Sequence, residues 1–457
     1  MFFINSVRSA PPEFAADLLI RIAQSSKVTY PIWRVELLEE AFRLASDAQQ
    51  PYKRKYASWN AIDTRAGFLG YAFELELDAL SLQCRAVKAM LSVDKQKART
   101  LFNEIPKLDL KPISCEESLV YDVSNFYALL TNIEQTAFSA KEIRRNEHIY
   151  FLQSHISNMV SPVQIGPIAK TILALNLSHS EFQILAYAFS NALEKISGND
   201  RSFWFSEDIT EHEINKLLTA CQNREMSSDD LLRAYRTYLI KQLSGRRCAD
   251  SYGWFKGIAS DYTKVFNNRM RLKSTKNILP ISAEEIRPSE IGGDEKVFFY
   301  WQSPKAKEAL AKIQSLRFGT ANKPLIDAER ETADWKTKVN DFLKDMAAWH
   351  REDEKAEEDY FHQRCHLYVN LLELVPPGPI RDYVLKSYVA FLNEFDLVRN
   401  SRIEWFWQAN YLIRIVTSVD EEMRSKLIET LGVSRNPVLY LYTELGRLAP
   451  QVHTSHM

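Results

Sequence analysis

His362 and His366 stand one helical turn apart, with Glu358 a turn earlier, so two imidazoles and a carboxylate could share a metal ion. They belong to a stripe, His350, Glu354, Glu358, His362 and His366, that recurs at every fourth residue beside Asp359 and Cys365. A metal held there with an open position would activate water, the chemistry of a metal-dependent hydrolase. The pattern departs from the zincin motif because Gln363 follows the first histidine, which removes that mechanism's general base. A four-residue stripe also drifts about 40° per step around a 3.6-residue helix, so all five groups cannot meet one ion. The competing reading is a solvated acidic helix face next to two histidines at a packing edge.

A second cluster is basic. Residues 245–276 carry Arg246, Arg247, Lys256, Lys264, Arg269, Arg271, Lys273 and Lys276 against Asp250 and Asp261. Tyr252, Trp254, Phe255, Tyr262 and Phe266 are interleaved. Cations neutralise phosphates and aromatic rings stack on bases, so a single strand of nucleic acid could lie along this segment. The same composition describes an amphipathic helix whose rings are core and whose cations face water. Trp405, Phe406, Trp407 and Tyr411 form a third cluster, of the residue types that dominate binding hot spots. Adjacent aromatics on a helix point in different directions, so some of them must be exposed or meet another helix layer, and packing between two layers is the plainer account. Arg246, Arg247, Trp254, Arg269, Arg271, Trp405, Trp407 and Tyr411 are therefore the candidate partner contacts.

The rest of the sequence narrows the chemistry. Fifty-eight Lys and Arg balance 59 Asp and Glu, so no bulk charge draws nucleic acid or an anionic membrane, and nucleic acid is disfavoured as partner. No Gly-rich phosphate loop, dinucleotide fingerprint, nucleophile elbow or His-Glu-x-x-His motif is present, and no cofactor is implied. Ser92-Val-Asp-Lys95 has Ser-x-x-Lys spacing but no Lys-Thr-Gly partner, and reads as a turn. The five cysteines, Cys84, Cys115, Cys221, Cys248 and Cys365, contain no CxxC pair, and their plain reading is buried thiols in a reducing compartment. No run approaches the roughly 18–20 apolar residues of a membrane-spanning helix. These features favour a soluble, cytoplasmic protein, or an exported one if a leader precedes the short apolar start at Met1.

The elements that must position these residues read as helices. Ser or Thr followed three residues later by an acid marks helix starts at Ser114, Ser139, Ser178, Thr210, Ser227, Ser282 and Ser418. Apolar residues then recur at three and four, as in Leu37, Leu38, Ala41, Phe42 and Ala45. Thirteen Gly in 457 residues suit helices. Turns at Ser197-Gly-Asn-Asp200 and Val375-Pro-Pro-Gly-Pro379 separate antiparallel pairs, and the best strand pattern is Lys296–Trp301. A hairpin of two amphipathic helices cannot bury its apolar face alone and stacks on neighbours.

Leu82, Ala86, Ala98, Phe102 and Ile105 resemble the spacing of a tetratricopeptide repeat over about one unit of some 34 residues, with Ala89 where that family has an aromatic. The resemblance implies a concave face for a protein or peptide. The expected fold is all-α: stacked helical hairpins of an irregular α-solenoid over 1–275, a connector with one short helix over 276–330, and a smaller helical unit over 331–457 with a long charged helix from Trp335 to about His366. The expected function is a non-enzymatic scaffold for a protein or peptide. Metal-dependent hydrolysis through Glu358, His362 and His366 is the first alternative, and single-stranded nucleic-acid binding through 245–276 the second.

Overall fold

Helix makes up 72% and strand 3% of the computed structural model, so the chain is all-α. The structure describes residues 2–56, 64–245, 247–248, 261–270, 278–287, 291–294, 296, 298–319, 323–351, 357–395, 402–417 and 436–448. The chain opens with α1 (Phe2–Arg8), α2 (Pro12–Gln24), α3 (Pro31–Ala45), β1 (Arg54–Tyr56) and α4 (Arg65–Ala72). It continues through α5 (Ala79–Leu91), α6 (Lys95–Glu104), β2 (Leu119–Tyr121), α7 (Ser124–Thr136), α8 (Ala140–Arg144) and α9 (Glu147–Ser157). Next come α10 (Ile165–Ala174), α11 (His179–Lys195), α12 (Phe203–Asn223), α13 (Asp229–Ser244), β3 (Arg247–Cys248), helical residues 261–270 (α14) and β4 (Ile291–Gly292). The last helices are α15 (Pro304–Arg317), α16 (Asp327–Arg330), α17 (Ala333–Ala348), α18 (Glu357–Leu374), α19 (Pro379–Glu394), α20 (Arg402–Thr417) and α21 (Pro437–Leu448).

Side-chain caps explain many of the starts, because the first helical N–H groups have no partner inside the helix. Ser139 and Ser178 form the expected reciprocal boxes with Glu142 and Glu181, opening α8 and α11. The Ser282 N–H donates to Glu285 at 2.9 Å, but this cap opens only a single 3-10 turn. Asp78, Asp94, Ser303 and Thr332 cap α5, α6, α15 and α17. Two expected starts are corrected. Ser114 and Glu117 close a turn that leads into no helix. Thr210 and Glu213 are buried in the interior of α12, which already starts at Phe203. Ser418 lies outside the described residues, and the Lys296–Trp301 stretch forms one bridge, Phe299 to Thr64, and a 3-10 turn rather than a strand.

The helices belong to two compact units. Unit 2 comprises Ala15–Ala57 and Glu76–Lys296. Within it α3 and α7 pack on α5, α10 packs on α7, and α12 packs on α10. A second series runs α9 on α11 on α13, and the two series meet where α7 touches α9 and α10 touches α11. Leu82, Ala86, Ala98 and Phe102 are buried on a pair of helices, α5 and α6, that pack together, and Ile105, just past the end of α6, is buried as well. β1 pairs antiparallel with β2, Arg54 opposite Tyr121, and β3 pairs parallel with β4. Cys115 and Cys248 are joined by a disulfide, which replaces two of the five expected thiols; the other three cysteines are buried.

Unit 1 comprises Met1–Phe14, Ser58–Leu75 and Val297–Met457. α18 packs against α4, α15 and α19, α20 packs on α4, and α1 touches α21. The passage from one unit to the other at 296/297 falls inside the stretch expected as a connector, and unit 1 also takes two segments from the N-terminal region. The long charged helix expected from Trp335 to His366 is two helices. α17 stops at Ala348 because Trp349 turns extended, its ring edge-on to Tyr360 at 5.7 Å and its carbonyl accepting the Tyr360 hydroxyl at 2.8 Å.

One turn in unit 2 has no room for a side chain. A Cβ on Gly245 would stand 1.7 Å from the Gly198 carbonyl oxygen, and a Cβ on Gly198 would meet the Lys241 carbonyl oxygen at 2.5 Å. Both obstacles are backbone, so relief requires moving α13 off the α11–α12 turn. We predict that Gly245→Ala destabilises the protein by about 1–3 kcal/mol in denaturant unfolding, the usual cost of overpacking. Gly293→Ala, with nothing within 4 Å of its Cβ, is expected to change stability little. Equal effects of the two substitutions would contradict the close approach.

Candidate functional site

The three groups proposed to share a metal point to different neighbours. His362 is fully buried, its ring 4.3 Å from that of Phe68 and 5.3 Å from that of Tyr300, with Nε2 3.3 Å from a Glu404 oxygen. His366 faces the rings of Trp301 and Tyr300. Glu358 is more than half exposed and reaches Arg65 at 3.8 Å, while Asp359 holds the same guanidinium at 2.6 Å. Among the described residues no group of three His, Cys, Asp or Glu side chains is placed to hold a metal ion. The cause is the burial of α18 on several sides: His362, Gln363 and Arg364 are consecutive and all buried. Gln363 donates to the Tyr300 carbonyl, and Arg364 lies over the Phe391 ring at 4.2 Å while donating to the hydroxyls of Tyr360 and Tyr368. The acidic face expected to be solvated thus ends at Asp359.

The aromatic run on α20 divides by direction. Trp405 is core rather than a contact surface: it is completely buried and its indole N–H donates to the Leu392 carbonyl at 2.9 Å. Trp407 and Tyr411 are partly buried and stack at 5.3 Å with their planes 12° apart. Tyr71 extends the row, stacked on Trp407 at 5.9 Å and 38% exposed. Burial lifts the Tyr411 phenol above its ordinary range, and nearby Glu373 adds to the effect. Phe68 meets Trp407 edge-on at 4.4 Å. Tyr71 is far away in sequence, which is why the row was not visible there.

Of the basic segment, Arg246, Trp254 and Arg271 lie outside the described residues, and Arg247 is described only through its backbone in β3. In α14 the rings are packed inward: Phe266 is buried and meets Tyr235 at 6.0 Å, and Tyr262 meets Phe203 at the same distance. Arg269 is half-buried, and burial lowers its pKa against the pull of Tyr235 and Glu211. Lys264 is exposed and reaches Asp261 at 3.6 Å.

Three arrangements have no counterpart in the sequence reading. Along α12, His212, Asn215, Lys216, Thr219, Asn223 and Arg224 line a cleft of about 360 Å³. Between α15 and α17, Lys305, Lys312, Asp345, Phe342, Met346 and Trp349 line a smaller one of about 190 Å³, crossed by Lys312, which binds Glu308 at 2.8 Å and Asp345 at 2.9 Å. The third is a buried acid. Glu134 on α7 is 6% exposed and neither of its oxygens has a hydrogen-bond partner. Burial, reinforced by the negative charge of Glu181, raises its pKa to about 8. Glu181 itself is held below its ordinary range against its burial by the Ser178 hydroxyl and N–H, and by His148 at 3.3 Å.

Comparison of the chain with protein-family models, with curated proteins and with solved structures gives no match.

Glu134 makes a signed prediction. Its folded pKa lies above the ordinary 4.5, so its contribution to stability is fully present below pH 4.5 and is lost as pH rises through about 8. Glu134→Gln has no charge to lose. Relative to the variant, the wild type should therefore lose on the order of 2–4 kcal/mol between pH 4.5 and 8.5, read by denaturant unfolding at each pH. Parallel profiles for the two proteins would show that the carboxyl is ionised in the folded state at neutral pH.

Proposed function

We propose that this protein is a non-enzymatic helical scaffold that holds a protein or peptide partner, with unit 2 forming an irregular array of stacked, tetratricopeptide-like hairpins. The observation that carries this reading is the double series in unit 2, α5, α7, α10 and α12 beside α9, α11 and α13. Helices stacked in two rows bury the faces between neighbours and leave the outer face of each row to solvent. Such rows offer extended surfaces whose side chains are fixed by a rigid backbone, which lowers the entropy lost on binding. The exposed positions agree. Ala128, Asn132, Lys170, His212, Lys216 and Thr219 are open on the first row, and Tyr150 and Tyr187 are each about 60% exposed on the second.

The test is recovery of a stoichiometric partner by tagged full-length protein, followed by reconstitution of the complex from purified components and elemental analysis of the protein. The expected result is a defined complex and no stoichiometric transition metal. About one metal ion per chain, lost on His366→Ala, or failure to reconstitute any complex, would overturn the scaffold reading.

A further inference from the structure

Going beyond the scaffold reading, we infer that the projecting turn Tyr30-Pro31-Ile32-Trp33, at the start of α3 in unit 2, docks on an anionic lipid surface that it enters from one side. Residues 29–33 are all exposed, Ile32 to 76%, Tyr30 to 74% and Trp33 to 38%. Side chains on a flat or concave surface are largely covered by their neighbours, so exposure this high along consecutive residues means that the segment projects. The turn is held from behind. Val28 is buried, its N–H donates to the Ser25 carbonyl at 3.1 Å, and its own carbonyl accepts the Arg34 guanidinium at 2.6 Å. Leu37, Leu38, Ala41 and Phe42 anchor the rest of α3 in the core. Three large apolar side chains are thereby left to solvent side by side, the kind of surface that marks a partner or a membrane.

The chemistry of the turn is graded as a lipid interface is. Ile32 is wholly apolar and suits the acyl boundary. Tyr30 and Trp33 each join an apolar body to a polar handle, the residue types that gather at headgroup level. Lys27 and Arg34 flank them, and no acid occurs in residues 25–35, so the adjoining charge complements an anionic leaflet. Glu36 is exposed one turn beyond Ile32 and limits entry to the first turn of the helix. With a net charge of −1 the chain as a whole exerts no long-range pull. Insertion of the side chains therefore carries the affinity, and anionic lipid adds to it. The helix start favours lipid over a dry apolar pocket in a protein. No side chain caps α3, and the open donors of a helix start are suited to headgroup phosphates. A dry pocket would leave such donors unpaired at a cost. A contact of so few side chains is reversible.

Co-flotation of full-length protein with vesicles tests the assignment, using phosphatidylcholine alone and phosphatidylcholine mixed with phosphatidylserine. Quenching of tryptophan fluorescence by brominated acyl chains is read beside it. Tyr30→Ser/Ile32→Ser removes the two most exposed apolar groups, and Trp33→Phe keeps a ring while removing the reporter. Tyr383→Ser, at a 52% exposed position in unit 1, is the control. The wild type should float with the vesicles, more strongly when phosphatidylserine is present, and its quenching should be lost in Trp33→Phe. Partitioning should fall roughly tenfold in the double variant and change little in the control. Thermal melts confirm that the variants fold. No flotation of the wild type, flotation unchanged in the double variant, or quenching that survives Trp33→Phe would overturn the lipid contact. So would a wild-type dimer that the double variant dissociates, since a second copy would then cover the turn. Loss of the recovered protein partner in the double variant, without any vesicle binding by the wild type, would reassign the turn to that partner and leave the scaffold standing.

Discussion

The Asp200 carboxylate is the constraint on which unit 2 depends most. It is buried in the turn between α11 and α12 and accepts the Ile113 N–H at 3.2 Å, the Ser202 N–H at 2.9 Å and the Ser161 hydroxyl at 2.7 Å. One side chain thereby fixes three separate stretches of backbone, and burial strengthens each bond while making any missing one costly. Arg201 repeats the move in the other direction, donating to the carbonyls of Cys115 and Glu117. The Gln242 amide, reaching the Ser197 carbonyl at 2.6 Å, brings the end of α13 against the same turn, where only glycine fits at 198 and 245. The Cys115–Cys248 disulfide then closes the loop covalently, limiting the freedom of the unfolded chain over 133 residues. The position of α12, and with it the cleft on its outer face, is set by this knot.

Unit 1 is held by a different balance. α18 carries His362, Gln363 and Arg364 into an interior where each must be answered by a partner or a ring. Tyr300 does most of this: its carbonyl takes Gln363, its hydroxyl donates to the Thr64 carbonyl at 2.8 Å, and its ring faces both His362 and His366. The Arg364 guanidinium is buried against the Phe391 ring and the hydroxyls of Tyr360 and Tyr368, contacts that offset the cost of taking its charge out of water. The two histidines that look like ligands in sequence are therefore part of an aromatic and polar packing centre.

Much of the local structure was legible because it is set by nearest neighbours. Ser139 with Glu142, and Ser178 with Glu181, form the boxes that their spacing announces, and the turns at 197–200 and 375–379 separate the helices they were expected to separate. The short helix expected near 306–316 is α15. The features that were not legible depend on the third dimension. Thr210 and Glu213 have the spacing of a helix start but sit inside α12, because helical periodicity already runs through them from Phe203. The break at Trp349 leaves no Pro or Gly in the sequence, since it is a tertiary contact with Tyr360 that ends α17. Trp405 and Tyr411 look alike on paper, yet one is core and the other lies partly open beside Tyr71. Glu134 reads as an ordinary helix-surface acid, and His212 to Arg224 as an ordinary polar face, until the packing of α10 and α11 shows which sides are covered.

The central proposal is that the exposed faces of the two helix rows of unit 2 hold a protein or peptide partner. Site-specific photocrosslinking tests it most directly, with a photoreactive residue placed at Lys170 on the first row in one protein, at Tyr187 on the second row in another, and at exposed Tyr383 of unit 1 in a third. With the partner recovered by the full-length protein bound, the account predicts an adduct from position 170 or 187 and none from 383. An adduct from 383 alone, or from none of the three under conditions where the partner is bound, would contradict it.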